Sequence, residues 1–461
     1  MNKLIKISLA TAMLIGANLH ASEAALLNEI STLKAEMEKL KKSVDGDIEE
    51  LHERADSNEF EATMNRIKWG GGLEVEAQSY EGTQGSMTTP MGVMPGTNYN
   101  NANKWSTKLK LTMEAKINDN TKFTGRLAMY KGWADSTPHM MLGGVNEGKT
   151  VNSGTSTLFV ERAYIDYKMT NFLTMTIGRQ PSTDGPGMSL RQNTPRQATY
   201  PSILFDGNSD GIIFTANAGK LEGVLDDTKF RVAYGKGFQK DDAMHGFMAS
   251  DNDVDDLDVL GLFAETSIHA PSMGENLIVF SYVNATGFVN TGFNDRNLGD
   301  FDLAGVYFEN NKAFGTNLSY FVSYGYSKGS SNGKTFTMNG QASSPTNPPL
   351  SLIDDSGSAY HVGMRYDFDA GFKLGYEFNH GDKNWFSFTQ GSEDPMNKLA
   401  TRGSVHDMYA IYQVDRNQFI RAGYTDIDYD YINSGYHFGM GQAVKTDDEA
   451  KRAYLLYNIK F

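Results

Sequence analysis

In the segment WSTKLKLTMEAKI the charged residues Lys108, Lys110 and Glu114 share one parity, and Trp105, Leu109, Leu111, Met113 and Ile117 hold the other. The pattern recurs along the chain. Arg126, Arg162, Asp166, Arg231, Arg365, Asp367, Lys373, Glu377 and Arg421 each fall on the polar side of an alternating segment. Nucleophilic catalysis needs a Ser or Cys beside a base that is itself oriented by a third group. The chain has no GxSxG, no HExxH and no P-loop, and its nine histidines are scattered, so no enzyme is expected. Charges of both signs spread over many segments line a surface instead. An unpaired charge in a dry interior is prohibitively costly, so these positions are expected to face a wet lumen. Lys108, Lys110, Arg126 and Arg162 come from three consecutive segments and form either a positive wall or a set of structural ion pairs.

The elements that must hold these residues have a period of two. Tyr360, Val362, Met364, Tyr366 and Phe368 oppose His361, Gly363, Arg365, Asp367 and Asp369, and Phe372, Leu374, Tyr376 and Phe378 oppose Lys373, Gly375, Glu377 and Asn379. Only Ala370 and Gly371 separate these two runs, which predicts a tight hairpin. From Trp69 onward about sixteen such strands follow, joined alternately by brief turns such as NDNT, KMTN and DRNQ and by long loops such as 132–156, 180–209, 330–357 and 380–404. Short turns at one rim and long loops at the other predict an all-β transmembrane barrel of antiparallel strands over 67–461. A closed ring leaves no unpaired edge, the condition for a β-structure in hydrocarbon. The final run, YLLYNIKF, keeps Leu455, Tyr457, Ile459 and Phe461 on one side and is expected to close the ring.

The N-terminal part reads differently. Lys3 and Lys6 precede an apolar stretch from Ile7 to Ala17 and small residues at Ala21 and Ser22, the form of a secretory signal peptide over 1–21. Its removal takes two positive charges from a chain of net charge −14, leaving −16 and an unlikely nucleic-acid binder. The absence of cysteine excludes a disulfide scaffold, thiolate zinc sites and covalent haem. Mean hydropathy is −0.45, and no apolar run after the leader is long enough for a transmembrane helix. Over 22–66 a heptad places Ile30, Met37 and Val44 at one core position and Leu26, Leu33 and Leu40 at the other, with Glu29 and Glu36 set to meet Lys34 and Lys41 of a parallel neighbour. A coiled coil in the periplasm is expected, weakening at Gly46 and Asp47 into a frayed helix or linker from Asp45 to Arg66. The acidic run DNDVDDLD, 251–258, is a weak candidate for Ca²⁺, and lacks the spacing and glycine of an EF-hand loop.

The segment VERAYIDYKMTNFLTMTIGRQ, the Pro-, Gly- and Arg-rich loop after it, and FDGNSDGIIF together resemble the part of bacterial porins in which the third loop folds inward. The barrel region, roughly 60–461, is similar to porin-like outer-membrane proteins with a helical N-terminal segment, distantly like the phosphate-selective porins. The resemblance implies that Asp184, Arg191, Arg196, Asp206 and Asp210 narrow a channel, and that the protein is a trimer. An extracellular cap is the other reading of that loop. The terminal aromatic, with Tyr457, Ile459 and Phe461, resembles the signal by which the barrel-assembly machinery recognises its clients. The expected function is passive diffusion of small hydrophilic solutes or ions across the outer membrane, among lipid and lipopolysaccharide. The alternative is a structural protein whose coil tethers the membrane to the cell wall or a periplasmic partner.

Overall fold

The computed structural model describes residues 23–64, 67–85, 87–89, 92–94, 96–133, 158–181, 183–221, 225–239, 254–270, 274–290, 296–336, 349–389, 394, 396–432 and 444–461. The expected signal peptide lies outside them. The chain divides into two compact units that meet between Ile67 and Lys68.

The first unit holds one helix, α1 (Glu23–Met64). Of the two readings from Asp45 onward, helix or linker, the chain is helical through Met64: one glycine, Gly46, costs about 1 kcal/mol, which the Lys- and Glu-rich turns around it absorb. Ile30, Leu33, Met37, Leu40, Val44, Ile48 and Leu51 are all exposed, so the apolar seam is uncovered within a single chain. The side chain of Leu26 lies outside the described residues.

The second unit is built by alternation. Among the described residues sixteen antiparallel strands close into one barrel. They are β1 (Ile67–Gln84), β4 (Thr97–Lys116), β5 (Thr121–Gly132), β6 (Phe159–Lys168), β7 (Leu173–Arg179), β8 (Asp210–Leu221), β9 (Leu225–Phe238), β10 (Leu257–Ala270), β11 (Gly274–Asn290), β12 (Arg296–Asn311), β13 (Leu318–Ser331), β14 (Ser356–Asp367), β15 (Phe372–Gly381), β16 (Gly403–Gln413), β17 (Gln418–Tyr431) and β18 (Lys445–Lys460). Two short strands, β2 (Met87–Thr89) and β3 (Gly92–Met94), pair with each other in the first loop. Every strand read from the alternation is present. The β14–β15 turn is as tight as expected: the Phe368 N–H donates to the Phe372 carbonyl at 2.8 Å across three residues, of which Ala370 and Gly371 are left-handed at φ of 66° and 82°.

Register fixes the faces. β18 pairs with β1 from Gly72↔Lys460 to Thr83↔Glu449, and Leu455, Tyr457 and Phe461 are exposed while Arg452, Tyr454, Leu456 and Asn458 are buried inward. Ile459 shares the outward parity and is half-buried. Around the wall Phe214, Phe230, Val232, Leu260, Leu262, Phe280, Val306, Met364, Leu374 and Met408 are likewise exposed. A continuous apolar exterior of this kind belongs in hydrocarbon.

Leu455 lies in the middle of the closing strand, with Ala77 and Ala422 as neighbours. Leu455→Arg is therefore expected to cost about 2–4 kcal/mol, read as a lower urea midpoint for folding into phospholipid vesicles. A change within about 0.5 kcal/mol, the usual range for a water-exposed surface site, would place that face in water.

A candidate solute passage through the lumen

The loop 180–209 enters the barrel because its charges find partners there. Asp184, in a left-handed conformation between Pro181 and Pro186, is buried with its Oδ2 3.4 Å from Lys110 Nζ on β4, 3.6 Å from Arg126 on β5 and 3.3 Å from Arg162 on β6. Burial alone pushes its carboxyl up, but Lys110, Arg162, Lys108 and Arg126 together outweigh that and hold it well below the usual carboxylate range. The same cations are shared: Glu161 lies 3.5 Å from Arg126, and Gln197 Oε1 accepts hydrogen bonds from both Arg126 and Arg162. Asp206 accepts the backbone N–H of Asp184 at 3.2 Å.

The loop then crosses to the far wall. It carries a single helical turn, α2 (Ser189–Gln192), whose carbonyls at Leu190 and Arg191 accept from Arg365 and Arg421 at 2.6 Å each. Asn193 donates to Gln413 and accepts from Lys373. The Arg191 guanidinium lies 3.8 Å from Glu377 and 3.9 Å from Asp407, and between the same two carboxylates sits Lys398, at 2.7 and 2.5 Å. On the return Arg196 reaches Glu265 on β10, which also holds Arg231. Both β4–β6 and β14–β17 are thus tied to one loop, so it spans the lumen rather than capping it.

The expectation of a wet interior needs correction. The described parts of loops 332–355 and 382–402 also fold inward, and Phe336, Leu350, Leu352, Trp385, Phe386 and Phe388 pack with Ile203 and Leu204 against Phe301, Leu303 and Ala359 of the wall in a dry core. Trp385 Nε1 donates to the Leu399 carbonyl at 2.9 Å, and Asp206 N–H donates to the Phe388 carbonyl at 2.7 Å, which joins the two loops. The physical reason is visible in β10–β12, where Leu257, Val279, Leu303 and Tyr307 point inward behind Leu260, Phe280 and Val306 pointing out. Strands apolar on both faces are covered on both.

Open space remains along the rest of the wall. A chamber of about 210 Å³ is lined by Lys108, Lys110, Arg126, Arg421 and Lys460 against only Glu74 and Asp184. A cavity of about 480 Å³ follows, lined by Asp166, Thr176, Arg196, Arg231 and Glu265, and Gln197 belongs to both. A third of about 130 Å³ shares Gln180, Tyr200, Ile213 and Phe263 with the second. Tyr200 stands edge-on to Phe263 at 4.7 Å, and burial pushes its hydroxyl up to about 12, so it stays neutral.

A family model described as "Protein of unknown function (DUF3373)" matches residues 98–460. The chain belongs to that family. No curated protein matches it. Among solved structures it is similar to Salmonella typhi OmpF in complex with daunomycin, at 13% identity and a TM-score of 0.46 over 85% of this chain and 97% of that one. It is similar also to Pseudomonas putida OprB, at 12% and 0.49 over 87% and 96%. A third is OmpT, an outer membrane protein of Vibrio cholerae in a trimer form, at 14% and 0.42 over 86% and 99%.

In this DUF3373 barrel the expected lining residues all fall off the exposed apolar face. Glu114 is paired with Lys122, Asp166 accepts from Thr176, and Asp367 holds Arg365 and Lys373. Lys110, Arg126 and Arg162 are drawn together on Asp184, so the positive wall and the ion pairs are one arrangement. Of the loop candidates, Asp184, Arg191, Arg196 and Asp206 are inside; Asp210, exposed at the head of β8 opposite Lys236, stands at the margin of the third cavity. Of the acidic run 251–258, residues 251–253 lie outside the described residues; Asp256 and Asp258 are held by Lys236, and the described residues contain no cluster of three or more acidic or histidine side chains set to hold a metal ion. Alternation missed Glu161, since a β-bulge between Arg126 and Leu127 turns both Glu161 and Arg162 inward. It missed Glu265 and Asp407 too, although both lie on inward parity.

Asp184→Asn removes the one carboxylate on which Lys110, Arg126 and Arg162 converge, and breaking a buried pair of this kind costs about 3–5 kcal/mol. The expected outcome is a lower thermal midpoint with trypsin cleavage at Arg191 or Arg196, and partial recovery in Asp184→Glu. An unchanged, protease-resistant variant would show that the contact is dispensable.

Proposed function

We propose that the protein is an outer-membrane porin that passes small hydrophilic solutes or ions by passive diffusion, through a lumen narrowed by loop 180–209. The observation that carries this is the pair of polar cavities along β4–β10, which share Gln197 in their linings. Charged and hydroxyl side chains line both, as a path for hydrated solutes requires. Five cations against two anions in the first chamber favour anions at that point. The exported leader, assembly by the barrel machinery through Tyr457, Ile459 and Phe461, and a setting of lipid and lipopolysaccharide complete the reading. The role proposed is not enzymatic.

A second role is favoured by α1. Its uncovered seam from Ile30 to Leu51 suits a parallel periplasmic coil, and through it a homotrimer or a tether to the cell wall or a partner. The two roles are compatible and separable.

The test is single-channel conductance of the detergent-folded protein in a planar bilayer under a salt gradient. Steady steps with a reversal potential on the anion side are expected; Lys460→Glu is expected to move that potential toward cations, and Tyr200→Ala to raise conductance. A silent barrel that is fully folded would overturn the porin reading. Removing residues 24–60 is expected to leave conductance intact and to abolish association with the cell wall; retained association would sink the tether.

A further inference from the structure

We propose that the cavity between loop 180–209 and the inner face of β8–β12 is a binding site for a neutral molecule of one aromatic ring bearing a hydroxyl or an amide. Its volume, about 130 Å³, is close to the roughly 150 Å³ of an apolar cavity that holds benzene. Its walls suit a ring: Tyr200, Leu204, Phe263, Leu303 and Phe388 line it, with Tyr200 and Phe263 already in an edge-to-face pair.

The polar requirement comes from two other side chains of the lining. Asn208 is 9% exposed, and neither its Nδ2 nor its Oδ1 finds a hydrogen-bond partner among the described residues. The Ser281 hydroxyl, in a residue 7% exposed, is in the same position. A buried polar group left without a partner costs about 1–3 kcal/mol, so a ligand that answers Asn208 recovers that cost on binding. The carboxamide both donates and accepts, which a phenolic hydroxyl or a primary amide can meet and a bare hydrocarbon cannot. Neutrality follows from the charges at the margin, where Lys236 is already matched by Asp256 and Asp258, and Arg179 stands opposite Asp210 in the β7–β8 register. A charged ligand would enter this apolar enclosure without a counter-ion of its own.

This goes beyond diffusion and does not depend on conductance, because occupancy is read on the folded protein itself. The full chain in detergent micelles is dialysed to equilibrium against radiolabelled phenol, with empty micelles as the blank and toluene and benzoate as competitors. Saturable binding of one phenol per barrel is expected, displaced poorly by toluene and benzoate. Asn208→Leu, which keeps the shape and removes both polar atoms, is expected to weaken binding by about tenfold, the equivalent of about 1.4 kcal/mol. Ser281→Ala is a milder change at the same cavity. Ala233→Phe adds a ring from the β9 wall and is expected to abolish binding. Folding of each variant is checked by heat-modifiable mobility, and Ser281→Ala carries the test should Ala233→Phe fail to fold. Phenol that only partitions into micelles would overturn the site in favour of one filled by water. Saturable binding unchanged in Asn208→Leu and Ser281→Ala would overturn it in favour of a lipid-facing groove.

Discussion

A β-strand in hydrocarbon has no water to satisfy its backbone, so everything else in this protein depends on the seam where the first strand meets the last. That seam is held on three levels. The backbone register runs from Gly72↔Lys460 to Thr83↔Glu449, and Phe461 exchanges two further backbone hydrogen bonds with Gly71. Inside, Arg452 reaches Glu76 and Gln78 and stacks on Tyr454 at 4.5 Å, and Asn458 donates to Glu74 at 3.0 Å. Outside, Leu455 and Tyr457 present an apolar face. A polar inner latch and a greasy outer face at alternate residues are what a period of two supplies at a ring closure.

Closure creates an interior that has to be filled by water or by protein, and this chain divides it between the two. The division follows composition. Where the wall is apolar inward, at β10–β12, the loops 332–355 and 382–402 supply aromatic side chains and exclude water. Where it is charged inward, at β4–β6, only loop 180–209 approaches, and it brings the single carboxylate of Asp184 to three cations. Small residues make the fit possible. A Cβ at Gly325 would lie 2.6 Å from Trp385, and one at Gly357 would lie 2.4 Å from the backbone of Asn384 and Trp385.

Strand number and the closing strand were legible in the sequence because each rests on a local pattern, parity and a terminal aromatic run; the inward course of the third loop was implied only by the resemblance to porins, with a cap as the other reading. What stayed hidden is non-local. Glu161 sits on the wrong parity for an inward residue until the bulge is known. Lys398 looks like a loop lysine, and nothing nearby in sequence signals that it is buried between carboxylates of β15 and β16. The runs LDVLGLFAETSI and LIVFSYVN did carry a signal, since they are apolar at consecutive positions rather than alternate ones, the mark of a strand covered on both faces. In α1 the heptad was legible but its end was not, because polar residues from Asp45 onward are as compatible with a solvated helix as with a linker.

The buried charges of the far wall explain why the two inserted loops behave as one. Arg191 comes from loop 180–209 and Lys398 from loop 382–402, and both need the same carboxylates, Glu377 and Asp407. Two cations and two anions balance. Withdrawing either loop leaves a buried net negative charge beside His361, a state costing several kcal/mol. The backbone joins the loops a second time, through Leu204, Asp206 and Phe388. Neither can therefore swing out alone, and together they form a fixed partition of the lumen. In the proposed diffusion role, selectivity is set by the fixed side chains that line the open side of that partition, Arg196, Gln197 and Tyr200 among them, so substitutions there act on passage without opening the barrel.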